Sequence, residues 1–599
     1  MRVFAGCVVA LCLIASPAMA RANGDGGNAA ANSPAPATNN ANVSSPAPAK
    51  PETVTTESDL QQLKDLVQAQ SRQLQEQQQE LNDQRAEMQS LRQQFNSTTA
   101  AGVVAAPIAA VPAAIGPVVG VSTTPAAISS ATPAPQATPA EPTSWPFKGV
   151  TFTPIGFFAA ETAWRQRALS ADVNTPFNAM PMPGASPYDI SEFNASGRQS
   201  RIGMLVQGSL PKVKIGGYYE ADFLSAGVTS NDNQSNSFTL RQRQFWGQAA
   251  FTNGLTITGG QMWSLVTQTA KGVDNRTEVL PETIDAQYSV GFSWARQYGV
   301  RFAKNFNNKA WVAMSVEAPQ ITLKTAGTTV PFLIGAPGAN GGLYPATNNF
   351  SFNETPDFVF KTSFEPGFGH YEVFGLISTF RNRIFPTGAA PYNNSTVGGG
   401  GGANAWFPFQ KGKINLGLHF LAGNGVGRYG SAQATPDVTV QPNGTLSLVT
   451  SYQGLATLAF HYTKWDVYFH VGEEYGDRTE FINGGTVPNV GFGAVGFNNT
   501  GCWTELAPGS GGYAPTAPAN CSNNIKSLIE GTAGVWYSFY NGPKGIFKFG
   551  LQYSNVTQNT WSGFGAGAAT GTCAAVGHPT CAPGTNDNMV FTSMRYYIP

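Results

Sequence analysis

From Trp145 to Pro599 the chain is built of short segments in which apolar and polar residues alternate. Between Lys212 and Phe223, Val213, Ile215, Tyr219, Ala221 and Phe223 share one face with Gly217, and Lys212, Lys214, Tyr218, Glu220 and Asp222 share the other with Gly216. The pattern returns downstream. Ile414, Leu416, Leu418 and Phe420 oppose Lys413, Asn415 and His419. Trp465, Val467, Phe469 and Val471 oppose Asp466, Tyr468, His470 and Glu474. Phe547, Phe549, Leu551 and Tyr553 oppose Lys548, Gln552 and Ser554. A period of two dictates strands with unlike faces. Alternation alone also suits a soluble antiparallel sandwich.

Three features narrow the choice to a transmembrane barrel. Strands of roughly ten residues match the 9–11 that cross hydrocarbon at a tilt. The polar face carries charges and amides, as a watery lumen requires and a dry core forbids. Connections alternate between tight, as at Tyr540-Asn541-Gly542-Pro543, and long Gly/Pro/Asn-rich stretches at 168–196, 325–355, 386–410, 478–526 and 556–586. At about 28 residues per strand with its share of loop, this region makes roughly 16 strands, within a range of about 14 to 18. The expected class is therefore all-β, a transmembrane antiparallel barrel wide enough for an aqueous channel. Composition agrees: charged residues are 12% and aromatics 11%, with 67 Gly. The 35 basic and 35 acidic residues cancel, so no basic excess points to nucleic acid.

The N-terminal quarter is organised differently. Met1-Arg2, the apolar stretch Val3–Ile14 and Ala18-Met19-Ala20 predict a signal peptide over 1–20. Residues 21–55 are a flexible Ala/Asn/Pro/Ser spacer. Over 56–96, Leu60, Val67, Leu74, Leu81, Met88 and Phe95 recur every seventh residue, with Leu63, Gln70, Gln77, Gln84 and Leu91 three places on. An unbroken heptad predicts an oligomerising α-helical coiled coil, and the three glutamine layers set its register. In 97–144, Pro107, Pro112 and Pro117 interrupt an apolar tract, which predicts an extended linker rather than a membrane helix. After cleavage, Cys502, Cys521, Cys573 and Cys581 remain as two local pairs, so Cys502–Cys521 and Cys573–Cys581 are expected as loop disulfides.

The chain ends Met594-Arg595-Tyr596-Tyr597-Ile598-Pro599, an alternating terminal strand that lacks a final aromatic residue. The layout resembles the DcaP-like porins of Gram-negative outer membranes. The resemblance rests on the heptad helix, the linker and the opening strands: Gly197-Arg198-Gln199-Ser200-Arg201-Ile202-Gly203, Gly217-Tyr218-Tyr219-Glu220-Ala221-Asp222-Phe223, Leu240-Arg241-Gln242-Arg243-Gln244 and Gly260-Gln261-Met262-Trp263-Ser264. It covers 60–264, and the rest only as a generic barrel. It implies a homotrimeric channel in the cell outer membrane with its coiled coil in the periplasm, passing small, often anionic solutes such as dicarboxylates. Phosphate- and sugar-selective porins share the layout.

Arg198, Arg201, Arg241, Arg243, Arg301, Arg381 and Arg383 are expected to line the pore, extended by Lys212, Lys214, Lys413 and Lys548. A row of guanidinium forks would attract carboxylate or phosphate. The competing role is pairing with the lumen carboxylates Glu220, Asp222, Glu317, Glu372 and Asp466. From Trp145 onward, 28 basic side chains face 25 acidic ones, which permits a mild anion preference. The Gly398–Gly402 run and the loop 325–355 are candidates for narrowing the channel. No metal site, cofactor motif or catalytic motif stands out, so no enzyme is expected. Two other classes stay open: an outer-membrane enzyme, which needs Ser and His to converge on the barrel wall, and a structural tether to the cell wall, which a blocked barrel would favour.

Overall fold

The computed structural model describes residues 144–224, 238–324, 330–334, 336–337, 349–350, 353–522, 524–564 and 580–599. The signal peptide, spacer, heptad helix and linker lie outside them, as does the Cys573–Cys581 pairing.

Sixteen antiparallel strands form one closed barrel. They are β1 (Val150–Arg165), β2 (Glu192–Ser196 continued by Arg201–Leu210), β3 (Val213–Asp222), β4 (Arg241–Phe251), β5 (Leu255–Trp263), β6 (Arg296–Phe306), β7 (Ala310–Glu317) and β8 (Asp357–Phe364). They continue as β9 (His370–Ile384), β10 (Tyr392–Phe409), β11 (Ile414–Asn424), β12 (Thr450–His461), β13 (Trp465–Gly476), β14 (Ile525–Gly542), β15 (Gly545–Thr560) and β16 (Gly584–Tyr597). Each pairs with the next, and β16 returns to β1 from Phe157↔Tyr597 to Arg165↔Met589. Closure leaves no unpaired strand edge, which a bilayer would not tolerate.

The alternation sorts the two faces. Phe158, Trp164, Phe245, Phe302, Phe360, Phe420, Phe469, Leu551 and Met594 stand exposed on the outside, while Glu220, Arg301, Glu372, His419, Glu474 and Arg595 are buried inside. An apolar girdle around a closed sheet needs lipid, so the barrel is transmembrane. Every short turn lies at one end and every long connection at the other.

Several sequence expectations change here. The stretch 386–410 is mostly β10, and its connection spans 385–391. The Gly398–Gly402 run is strand and constricts nothing. Its glycines answer a packing demand: a side chain at Gly402 would meet the Phe420 carbonyl and the Phe374 ring, and one at Gly398 would meet the Phe380 ring. The described part of 325–355 pairs Phe332↔Ile384 and Leu333↔Arg383 along the top of β9, and its Phe332 and Ile334 pack on the cluster of Phe380, Val438, Val440 and Leu446. The last hairpin turns on Pro543-Lys544, with Asn541 and Gly542 still on the strand.

Candidate functional site

The connection 264–295 between β5 and β6 folds into the barrel. Its residues Leu265, Val266, Val273, Ile284 and Val290 are at most 2% exposed and join apolar clusters with inward wall residues such as Trp311, Phe374, Tyr468 and Trp536. Residues 177–180 and 426–434, from two further loops, join the same clusters. The lumen is thus less uniformly polar than alternation suggested.

A chain crossing an apolar-walled space must satisfy its backbone, and wall side chains do this for the inward loop. Cations take its carbonyls. Lys361 donates to Thr267 O at 2.7 Å, Arg301 to Val273 O at 3.4 Å and Arg595 to Ile284 O at 3.4 Å. Carboxylates and amides take its N–H groups. Leu265 donates to Glu317 at 2.9 Å, Thr269 to Glu372 at 3.3 Å, Ile284 to Gln552 at 2.6 Å, Val290 to Glu530 at 2.7 Å and Gly291 to Glu474 at 3.2 Å. Gly291, at φ +81°, lies flat on the carbonyls of Gly454 and Glu473, where a Cβ has no room. Its left-handed backbone also favours glycine.

The predicted charged residues separate into groups. Arg241 grips Asp222 with two bonds of 2.8 and 2.7 Å, and Arg243 bridges Glu220 at 2.6 Å and Asp222 at 2.8 Å before reaching Tyr288 OH at 3.1 Å. Arg243 is the extra residue of a bulge, because Glu220 pairs with Gln244 and Ala221 with Gln242. The forks of both arginines are therefore engaged by wall carboxylates. Arg198 pairs with Asp172 at 2.7 Å in the break within β2. Arg301 holds the loop through Val273 O and Asn275, and also donates to Trp263 O at the end of β5 at 2.6 Å. Glu372 pairs with Lys361 at 2.9 Å, and Asp466 with His461 at 2.9 Å. Glu317 binds Ser315 and the loop. Lys212, Lys214 and Lys413 are exposed at the short-turn end.

Arg381 and Arg383 do not reach the lumen. β9 pairs with β10 without a bulge from His370 to Ile384. With His370, Glu372, Phe374 and Phe380 buried inward, the odd-numbered Val373, Ile377, Arg381 and Arg383 point outward.

Between the loop and the β1/β2/β14–β16 wall lies a cavity edged by Arg201, Lys548, Arg595, Glu282, Tyr288 and Trp536. Arg201 lies 3.7 Å from Glu220, and Arg595 pairs with Glu161 at 2.7 Å. Lys548 is 5% exposed, with its ammonium over the rings of Trp536 at 4.6 Å and Tyr597 at 5.0 Å. Among the described residues it makes no ion pair. Across the cavity Glu282, on the loop, sits 3.3 Å from His461. Burial pushes the Glu282 carboxyl up to about 7 against the pull of His461.

Arg595, Glu161, Glu474 and Glu530 escaped the sequence reading, although Glu474 and Arg595 sat on inward-parity positions. The loop 264–295 escaped because nothing in it is Gly/Pro-rich. Its readable signal was the loss of period two over a charged stretch.

Ser and His do converge on the wall. Ser293 Oγ lies 2.9 Å from His419 Nε2, and His419 Nδ1 lies 2.5 Å from Asn404 Oδ1. The Ser293 hydroxyl also accepts from Gln453 at 2.6 Å, and the residue is 1% exposed. Ser289–His470 at 3.2 Å and Thr269–His370 at 3.1 Å repeat the pairing. Three such pairs recur along one loop and tie it to wall histidines, and Ser293 and His419 also edge a small cavity with Gln268 and Thr457. No group of three or more metal-binding side chains assembles among the described residues. Cys502 and Cys521 are joined by a disulfide within the connection 477–524.

No protein-family model matches the chain, and no curated protein matches it. Among solved structures the chain is similar to the outer membrane channel DcaP of Acinetobacter baumannii, with 13% identity, covering 75% of this chain and 98% of that one, at a TM-score of 0.49. It is also similar to OmpT of Vibrio cholerae in a trimer form (10% identity, 75% and 100% covered, TM-score 0.38) and to an anion-selective porin from Comamonas acidovorans (8% identity, 75% and 100% covered, TM-score 0.37). The likeness is one of barrel architecture, and the functional reading rests on this chain's own residues.

Proposed function

We propose that the chain is an outer-membrane porin: a constricted, water-filled channel for passive diffusion of small polar solutes, with a preference for anions such as dicarboxylates. One observation carries this reading. A loop is laid across a closed 16-stranded barrel and leaves a cavity edged by Arg201, Lys548 and Arg595. Among the described residues Lys548 makes no ion pair, so its ammonium faces the cavity with Glu282 across from it. Cations at a constriction draw anions and repel cations. In this reading the long connections face outward, the short turns face the periplasm, and the coiled coil over 56–96 holds a homotrimer together.

Single-channel recording of the purified oligomer in planar bilayers tests it, with the reversal potential read under a KCl gradient. Discrete steps with anion selectivity are expected, and Lys548→Glu lowers that selectivity at least twofold. Cation selectivity in the native channel overturns the anion preference. The apolar packing around the inward loop favours a second reading, a barrel-anchored tether to the cell wall, and absence of conductance steps decides for it. Deleting 56–96 lowers the heat resistance of the oligomer while the barrel stays folded.

A further inference from the structure

Arg381 and Arg383 sit on the outer wall, and the strand that carries them shows at what height. On the outward face of β9, Val373 is 58% and Ile377 48% exposed, and on β10 Val397 is 64% exposed. Beyond them the same two faces turn polar: Arg381 pairs in register with Ser395, and Arg383 with Asn393. Four residues separate Ile377 from Arg381, about 13 Å along a strand. The apolar positions are at acyl-chain depth, so the two guanidiniums lie at headgroup depth, at the long-loop end. Below them Gly375 pairs with Gly401, and Gly399 with Ile377, so the outer face is flat between the flanking Val373, Ile377 and Val397.

We propose that this face binds a membrane lipid whose headgroup carries phosphate, its acyl chains on the Val373/Ile377/Val397 surface and its phosphate on Arg381 and Arg383. Two guanidinium forks on one strand face offer the planar donors that phosphate oxygens accept. Both guanidiniums already have contacts on this face. Arg383 donates to Asn393 Oδ1 at 2.9 Å and lies 5.8 Å from the Phe385 ring, and Arg381 lies 3.9 Å from Glu354, a carboxylate with a 59% exposed side chain. Asn393 and Ser395 add neutral polar groups to the same face, and the Ser395 hydroxyl donates to Glu354 at 3.3 Å. The inference rests on the barrel spanning a bilayer and is independent of what the channel carries.

The test is native mass spectrometry of the full-length, detergent-solubilised oligomer with added diphosphorylated lipid A, its dephosphorylated counterpart, or inorganic phosphate. The native protein should retain the phosphorylated lipid, and neither the dephosphorylated lipid nor inorganic phosphate should compete. R381A/R383A should lower retention at least tenfold, R381K/R383K should stay within threefold, and single-channel conductance should not change in either variant. Equal retention of phosphorylated and dephosphorylated lipid by the native protein overturns the proposal, and this comparison needs no variant to fold. Displacement by inorganic phosphate shows a free-anion site instead. Loss of oligomer with lipid retention intact in R381A/R383A shows that a second copy of the chain covers this face.

Discussion

On β3 and β4, Glu220 and Asp222 each meet an arginine within 2.8 Å, and Arg243 passes that network on to Tyr288 of the inward loop. On β13 and β14, Glu474 and Glu530 are as deeply buried, yet among the described residues neither has a cation partner. Glu474 accepts N–H groups from Gly291, Ala432 and Ala434, and Glu530 accepts from Val290 and from the Thr532 hydroxyl. The first region neutralises charge within the wall and holds the loop with what remains. The second spends its charge on the loop backbone directly. The loop is therefore fixed on one side by a network that would persist without it, and on the other by bonds that exist only while it is docked.

The largest effect expected from breaking this contrast is on the first side. Asp222→Ala leaves Arg241 and Arg243 competing for Glu220, and a broken buried ion pair costs about 3–5 kcal/mol. The heat-dissociation midpoint should fall by the same amount at pH 5 and pH 8, because guanidinium stays charged at both.

Glu474→Leu removes the shared acceptor of three backbone N–H groups, a cost that undocking the loop relieves because the freed groups regain water. The loss should appear as faster hydrogen exchange over 264–295 and 426–434 and as higher conductance, with a smaller shift of the barrel midpoint than Asp222→Ala. Equal midpoint shifts would erase the distinction between the two walls.

The smallest effect concerns Glu282. Its carboxyl, raised to about 7 by burial, holds a proton when docked that it would release in water near 4.5. The docked loop binds more protons between these values, so docking is tightest below about 4.5 and weakens as pH rises towards 7. Channel closures should become rarer over that window, and Glu282→Gln should flatten the profile. A profile unchanged in the variant would assign the titration to another group.

Strand content, face assignment and the Arg241/Arg243 neighbourhood were readable because they follow from local period and register. What failed did so for identifiable reasons. Counting by twos across β9 puts Glu372 and Arg381 on opposite faces unless a bulge intervenes, and β9 has none, whereas β4 does have one, at Arg243. The spacing of two rightly put Arg381 and Arg383 on one face but could not say which. The inward loop is fixed by partners as distant as Val290 and Glu530, 240 residues apart, and no window along the chain reports such pairings. The glycine run reads as a loop from composition, which does not distinguish flexibility from the room that Phe374 and Phe380 require.

The seam between β1 and β16 has a consequence for assembly. Glu161 meets Arg595 and Thr162 meets Thr592 across it, pairs more than 400 residues apart, and Arg595 also holds Ile284 O of the inward loop. The barrel cannot shut until β16, Gly584–Tyr597, meets β1, and the arginine at that seam also ties the closed wall to the loop. Pairings of such long sequence separation form slowly, and a chain truncated before β16 should stall as an open sheet.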